Sequence, residues 1–189
     1  METLSIPAAP STEDEKAPLS FRIWQIKTQE EFYQFCQDNA DYRFEREPDG
    51  RIVLMPNTGG KTGSLNSELT TDVTIWNRQK KLGRVFDSST AFHLPDGSTR
   101  SPDVAWVSSA RWNELSEREQ EQFPPVCPDF VIELVSSTDS LKTAKAKMTG
   151  VWIANGCRLA WLIDPRTETT YLFRANGEIQ IITGFDKTL

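Results

Sequence analysis

The alternation of apolar and polar positions divides this chain into a series of short elements. Phe32, Phe35 and Cys36 recur at helical spacing and predict a short amphipathic helix over residues 29–39. Residues 42–45 and 51–55, parted by Pro48-Asp49-Gly50, read as a β-hairpin. After a loop over 56–60, Leu65, Leu69, Val73 and Trp76 form one stripe of a helix over 64–81 that stops before Gly83. Strands are expected at 84–87 and 90–94, and the Pro95-Asp96-Gly97 turn leads to a further strand after Ser101-Pro102-Asp103. Residues 111–122 are polar and read as a surface helix.

The run Phe130-Val131-Ile132-Glu133-Leu134-Val135 has five apolar residues of six and turn-forming flanks on both sides. Such a run predicts a central strand covered on both faces. Thr138 or Asp139 can cap a helix that follows it to Asn155, with Gly156 as the stop. Residues 159–163 form another buried strand closed by Asp164-Pro165, and 169–173 with 178–182 a final hairpin. The order of elements predicts an α/β sandwich: a mixed β-sheet flanked by helices.

Composition narrows the class. The 189 residues, 38% hydrophobic and 25% charged, suit one globular domain, placed at 21–189. Residues 1–20, with Pro7, Pro10 and Pro18 beside Glu13, Asp14 and Glu15, read as a disordered leader without the basic start and apolar core of a secretory signal. No stretch approaches the roughly 18 apolar residues of a membrane span. Cys36, Cys127 and Cys157 are odd in number and widely spaced, which argues against a disulfide framework or zinc cluster and for a reducing, cytoplasmic setting. The single histidine, His93, excludes chemistry built on two; its alternating strand predicts a solvent-facing position. The net charge of −6 weighs against a wide nucleic-acid surface, although Arg78, Lys80, Lys81 and Arg84 cluster near one helix end.

Glu133 carries the chemistry. An ionised carboxylate inside a buried strand costs several kcal/mol unless a metal, a cation or hydrogen-bond donors compensate it. Asp103 stands at the mouth of another apolar strand 30 positions earlier. If the two strands are neighbours, both acids can point into one cleft and hold a hard divalent cation such as magnesium, which accepts carboxylates, waters and phosphate oxygens. On the helix after Glu133, at about 100° per residue, Leu141, Ala144, Met148, Val151 and Trp152 form the apolar stripe. Lys145 and Lys147 flank that stripe on opposite edges, Lys142 points away, and periodicity alone does not choose between the first two.

The ordered set Met55-Pro56-Asn57-Thr58-Gly59-Gly60, Ser101-Pro102-Asp103, Ile132-Glu133-Leu134-Val135-Ser136, Lys145-Ala146-Lys147-Met148, Asn155-Gly156 and Trp161-Leu162-Ile163-Asp164-Pro165 resembles the Uma-two family of the restriction-endonuclease-like, PD-(D/E)XK superfamily, over about residues 25–175. The resemblance implies a sheet-centred nuclease core that hydrolyses DNA phosphodiester bonds with magnesium, manganese being the alternative. It makes Asp103 and Glu133 the metal-holding acids. The superfamily lysine two residues after the second acid is replaced here by Val135, and the resemblance assigns that role to Lys147 on the following helix. A family tyrosine in that helix is replaced by Trp152. The segment from Lys147 to Gly156 is one residue longer than the family pattern and contains Gly150, which leaves Lys145 as the alternative lysine. An acid on the first core helix, here Glu68, serves some superfamily members as a further metal ligand; Glu45 has a family counterpart that can brace the fold. Superfamily nucleases often work as dimers, which suggests a homodimer without fixing the oligomeric state. The competing reading is a catalytically inactive nuclease fold that binds nucleic acid or protein, favoured by the acidic charge and the missing in-strand lysine. A small-molecule hydrolase has no nucleophile elbow, phosphate loop or histidine site to support it.

Overall fold

The computed structural model describes residues 19–23, 26–136 and 139–185. Its strands are β1 (Ser20–Phe21), β2 (Phe44–Arg46), β3 (Ile52–Leu54), β4 (Gly83–Asp87), β5 (Phe92–His93), β6 (Thr99–Arg100), β7 (Val104–Ser108), β8 (Phe130–Leu134), β9 (Leu159–Asp164), β10 (Thr169–Arg174) and β11 (Ile179–Thr183). Its helices are α1 (Gln29–Asp38), α2 (Gly60–Lys80), α3 (Ser109–Trp112), α4 (Glu117–Glu121) and α5 (Leu141–Lys147), the last continued by a π-helical turn over Met148–Ile153. No helix among the described residues is long and apolar enough to cross a membrane.

The strands form two sheets rather than the single one expected. A mixed sheet has the order β11-β10-β9-β8-β7-β4, and a smaller antiparallel sheet the order β1-β3-β2-β6-β5. Turns at Pro48-Asp49-Gly50 and Pro95-Asp96-Gly97 fold both short hairpins back on themselves, and the hairpins join through one pairing, Arg46 with Thr99. Within the large sheet β8 and β9 are the parallel pair, and α5 with its π turn supplies the connection between them. The expected leader falls outside the described residues for its first 18 positions; Ser20 and Phe21 pair with Val53 and Ile52.

Both faces of β8 are covered, which is why it reads as an apolar run. Val131 packs with Ala105, Val107, Met148, Trp152, Ala160 and Leu162 on one face. Ile132 and Leu134 pack with Val104 and Ile163 on the other, beneath Leu65, Leu69 and Val73 of α2. The stripe predicted for α2 is therefore the one it buries, except that Trp76 is largely exposed and meets Trp106 edge-on. The helix starts four residues earlier than expected, because Gly60-Lys61-Thr62-Gly63 carries no apolar periodicity to announce it. Residues 111–122 hold two short helices rather than one, and Trp112 is buried rather than at the surface. The cap of α5 is Ser140, whose hydroxyl accepts from the Thr143 amide, while Asp139 accepts from the Ser136 amide; Thr138 lies outside the described residues. His93 is half-buried, not solvent-facing as its alternation predicted. All three cysteines are free.

Gly83 begins β4 against β7, and a Cβ there would meet the Val107 carbonyl at 2.2 Å and the Trp106 ring at 2.6 Å. Gly83→Ala is expected to destabilise the protein by about 1–3 kcal/mol, read as a lower urea midpoint at unchanged slope.

Candidate active site

The antiparallel register of β7 and β8 pairs Val104 with Ile132. The next step of that ladder sets Asp103 across from Glu133, at the end of the sheet where the chain enters β7. Asp103 is fixed by two neutral donors: the Leu134 amide to Oδ2 at 2.7 Å and the Asn66 side-chain amide of α2 to Oδ1 at 2.8 Å. Glu133 is buried, and its Oε1 accepts from Trp152 Nε1 at 2.8 Å and from the Lys147 ammonium at 2.8 Å. The helices on the two sheet faces thus converge on the acid pair, α2 through Asn66 and the α5 segment through Lys147 and Trp152. The small sheet reaches the same region. Glu45 of β2 accepts from Arg100 at 3.0 Å and from the Ser101 amide at 2.9 Å, so it braces the Ser101-Pro102 approach to Asp103.

Burial raises the Glu133 carboxyl to about 7, against the pull of the Lys147 ammonium and with the help of the Asp103 and Glu45 charges. For Lys147 burial acts in the opposite sense and would lower it. The carboxylates of Glu133, Glu45 and Asp103 outweigh that effect, so the ammonium is held above its ordinary value and stays charged.

Lys147 and Trp152 are five residues apart. In an α-helix that spacing would set them about 140° apart, too far round for both to meet one carboxylate oxygen. The π turn removes the conflict. The Ala154 amide bonds to the Thr149 carbonyl, across five residues. This widened turn brings positions five apart onto one face. Trp152 supplies an N–H donor to Glu133.

The structure separates the remaining candidates. Lys145 lies with its ammonium 3.7 Å from the centre of the Tyr171 ring, a cation–π contact away from the acids. Val135, where the superfamily lysine would stand, is packed in the main core. Glu68 is not brought to the acid pair: it is exposed and borders an apolar groove with Leu69, Trp76 and Trp161, about 200° round α2 from Asn66. Asp87 accepts from Ser89 and Asp164 pairs with Arg166, both as strand-end acids. Asn66 went unrecognised in the sequence; its signal was a polar position immediately beside the Leu65 stripe.

Among the described residues no group of three or more His, Cys, Asp and Glu side chains gathers to hold a metal. A cation here would rest on Asp103, Glu133 and neutral oxygens, and an all-oxygen set of that kind fits magnesium or manganese.

A mixed sheet flanked by helices, with two strand acids and a helix lysine at one end, defines a restriction-endonuclease-like α/β fold. The family model Uma2, described as "Putative restriction endonuclease", matches residues 29–188, and the chain belongs to that family. Its fold is similar to the crystal structure of a "putative nuclease belonging to DUF820" from Anabaena variabilis, at 21% identity and TM-score 0.63 over 77% of this chain and 79% of that one. A cryo-electron-microscopy structure of a DrdV–DNA complex aligns at 14% identity and TM-score 0.42, over 64% of this chain and 10% of that one. No curated protein matches the chain.

Two outcomes follow from this geometry. Deleting exposed Gly150 should let the π turn relax to an α-helix in which Lys147 and the tryptophan stand four apart on one face. The deletion is expected to keep the fold and raise the melting temperature, whereas deleting Ala144 should lower it. The second outcome concerns pH. A carboxyl raised in the folded state favours folding below its unfolded value, and that contribution is lost as pH rises through the folded one. Metal-free protein should therefore lose stability relative to Glu133→Gln between pH 5 and about 7, by about 1.4 kcal/mol per unit of upward shift, as read by urea unfolding in chelator.

Proposed function

We propose that this protein is a metal-dependent endonuclease that hydrolyses phosphodiester bonds in DNA. The observation that carries the reading is the Lys147 ammonium at 2.8 Å from Glu133, with Asp103 across the strand pair from it. The family's description supports the nuclease class. Asp103 and Glu133 would hold magnesium, which when bound acidifies a water and offsets phosphate charge.

The chain's own groups do the rest. The Leu134 and Asn66 donors fix the Asp103 carboxylate, and the Trp152 N–H fixes Glu133. Lys147, held charged by the acids, keeps ammonium protons available to a phosphate oxygen as negative charge builds on it. Arg78, Lys80 and Lys81 at the end of α2, with Arg84 on β4, offer phosphate contacts that do not depend on sequence.

Plasmid cleavage in magnesium tests the reading. Asp103→Asn and Glu133→Gln are each expected to remain folded and to reduce cleavage at least about 10²-fold. Lys147→Met should do the same while magnesium binding, read by calorimetry, persists. Full cleavage by either acid variant overturns the assignment. Tight DNA binding by a wild type that never cleaves favours the inactive binding module instead.

A further inference from the structure

We infer that Asn66 is a third ligand of the divalent-cation site, offering its amide oxygen beside the Asp103 and Glu133 carboxylates. The inference rests on the endonuclease reading and extends it to a residue that the family pattern of two acids and a lysine does not include. Asn66 is 9% exposed, and its Nδ2 donates to Asp103 Oδ1 at 2.8 Å. Its Oδ1 is buried and meets no protein donor among the described residues. Turning the amide over would place that oxygen against a carboxylate, acceptor on acceptor. The Asp103 bond therefore fixes which end is which, and the oxygen is the end left over.

Among the described residues, six buried side-chain nitrogen and oxygen atoms lack a partner, and Asn66 Oδ1 is the only oxygen of the six. It also belongs to a side chain bonded to a site acid. Leu65 and Leu69 press this part of α2 onto the sheet, so the amide is held by packing rather than left to swing. Asn66 also lines a polar cleft with Thr58, Ser67 and Thr71. An amide oxygen is a hard neutral ligand suited to magnesium. It completes a three-oxygen set without adding a further negative charge beside the phosphodiester.

Calorimetry with magnesium or manganese alone, on folded wild type, Asn66→Asp and Asn66→Ala, reads the difference. A ligand role predicts about tenfold tighter binding for Asn66→Asp and about tenfold weaker for Asn66→Ala. A mere brace for Asp103 predicts weaker binding in both, because aspartate removes the donor and sets a charge against Asp103; that result overturns the inference. So does Asn66→Ala binding as well as wild type while Asp103→Asn binds nothing, an outcome that leaves the endonuclease reading standing. Wild type that binds neither ion overturns both. A measurement on wild type alone removes any dependence on variant folding: magnesium should shift the Asn66 side-chain amide resonances and manganese should broaden them. Unmoved resonances at saturating metal overturn the assignment.

Discussion

Compensation of one buried carboxylate organises this molecule. Glu133 stands in a strand covered on both faces, where an uncompensated charge would cost several kcal/mol. Two donors on one oxygen, Trp152 Nε1 and the Lys147 ammonium, offset that cost from the helix that links β8 to β9. The parallel connection is thus tied to the strand it leaves as well as to the strand it enters. The charge that looks like a fault in the core is the point where sheet and helix are locked together.

The second acid is held differently. Asp103 takes only neutral donors, one from the backbone of β8 and one from α2. Its approach segment is braced from the small sheet, where Glu45 bridges Arg100 and the Ser101 amide and Arg100 also meets Glu47. Two sheets and two helices therefore contribute to a site that sequence proximity would assign to two strands. This division also explains the pattern of burial. Arg100 and Glu45 are buried polar residues because each finds a charged partner.

The strand acids were legible because each breaks a local rule. A glutamate in an apolar run and an aspartate behind a strand-opening proline are visible without a structure. The helix lysine was half legible. Regular α-helical periodicity placed Lys145 and Lys147 on opposite edges of one stripe, but it could not foresee the π turn that decides their surroundings. Lys147 reaches the acid because winding slows after it, while Lys145 turns to the Tyr171 ring. Glu68 drew notice and Asn66 did not for a different reason. Charge is conspicuous in a sequence, whereas the orientation of α2 is set by Leu65, Leu69 and Val73 on the sheet, and that packing turns the neutral side chain toward Asp103. The second sheet was hidden by strands only two or three residues long, whose partners are chosen by tertiary packing rather than by propensity.

Charge balance at the site sets what it can accept. Glu45, Glu47, Asp103 and Glu133 face Arg100 and Lys147: four carboxylates against two cations, with Asp103 met by neutral donors alone. Among these six groups two negative charges remain when all are ionised. Without a further cation the imbalance is relieved by protonation, and the raised Glu133 carboxyl is the group that takes the proton. A divalent ion would supply the missing two charges and displace that proton. A monovalent ion would leave the repulsion half met, and a second lysine would bring a long stem into a space that Val135 and Trp152 already fill. Under the proposed function, this charge balance is the electrostatic argument for a small doubly charged ion at the acid pair.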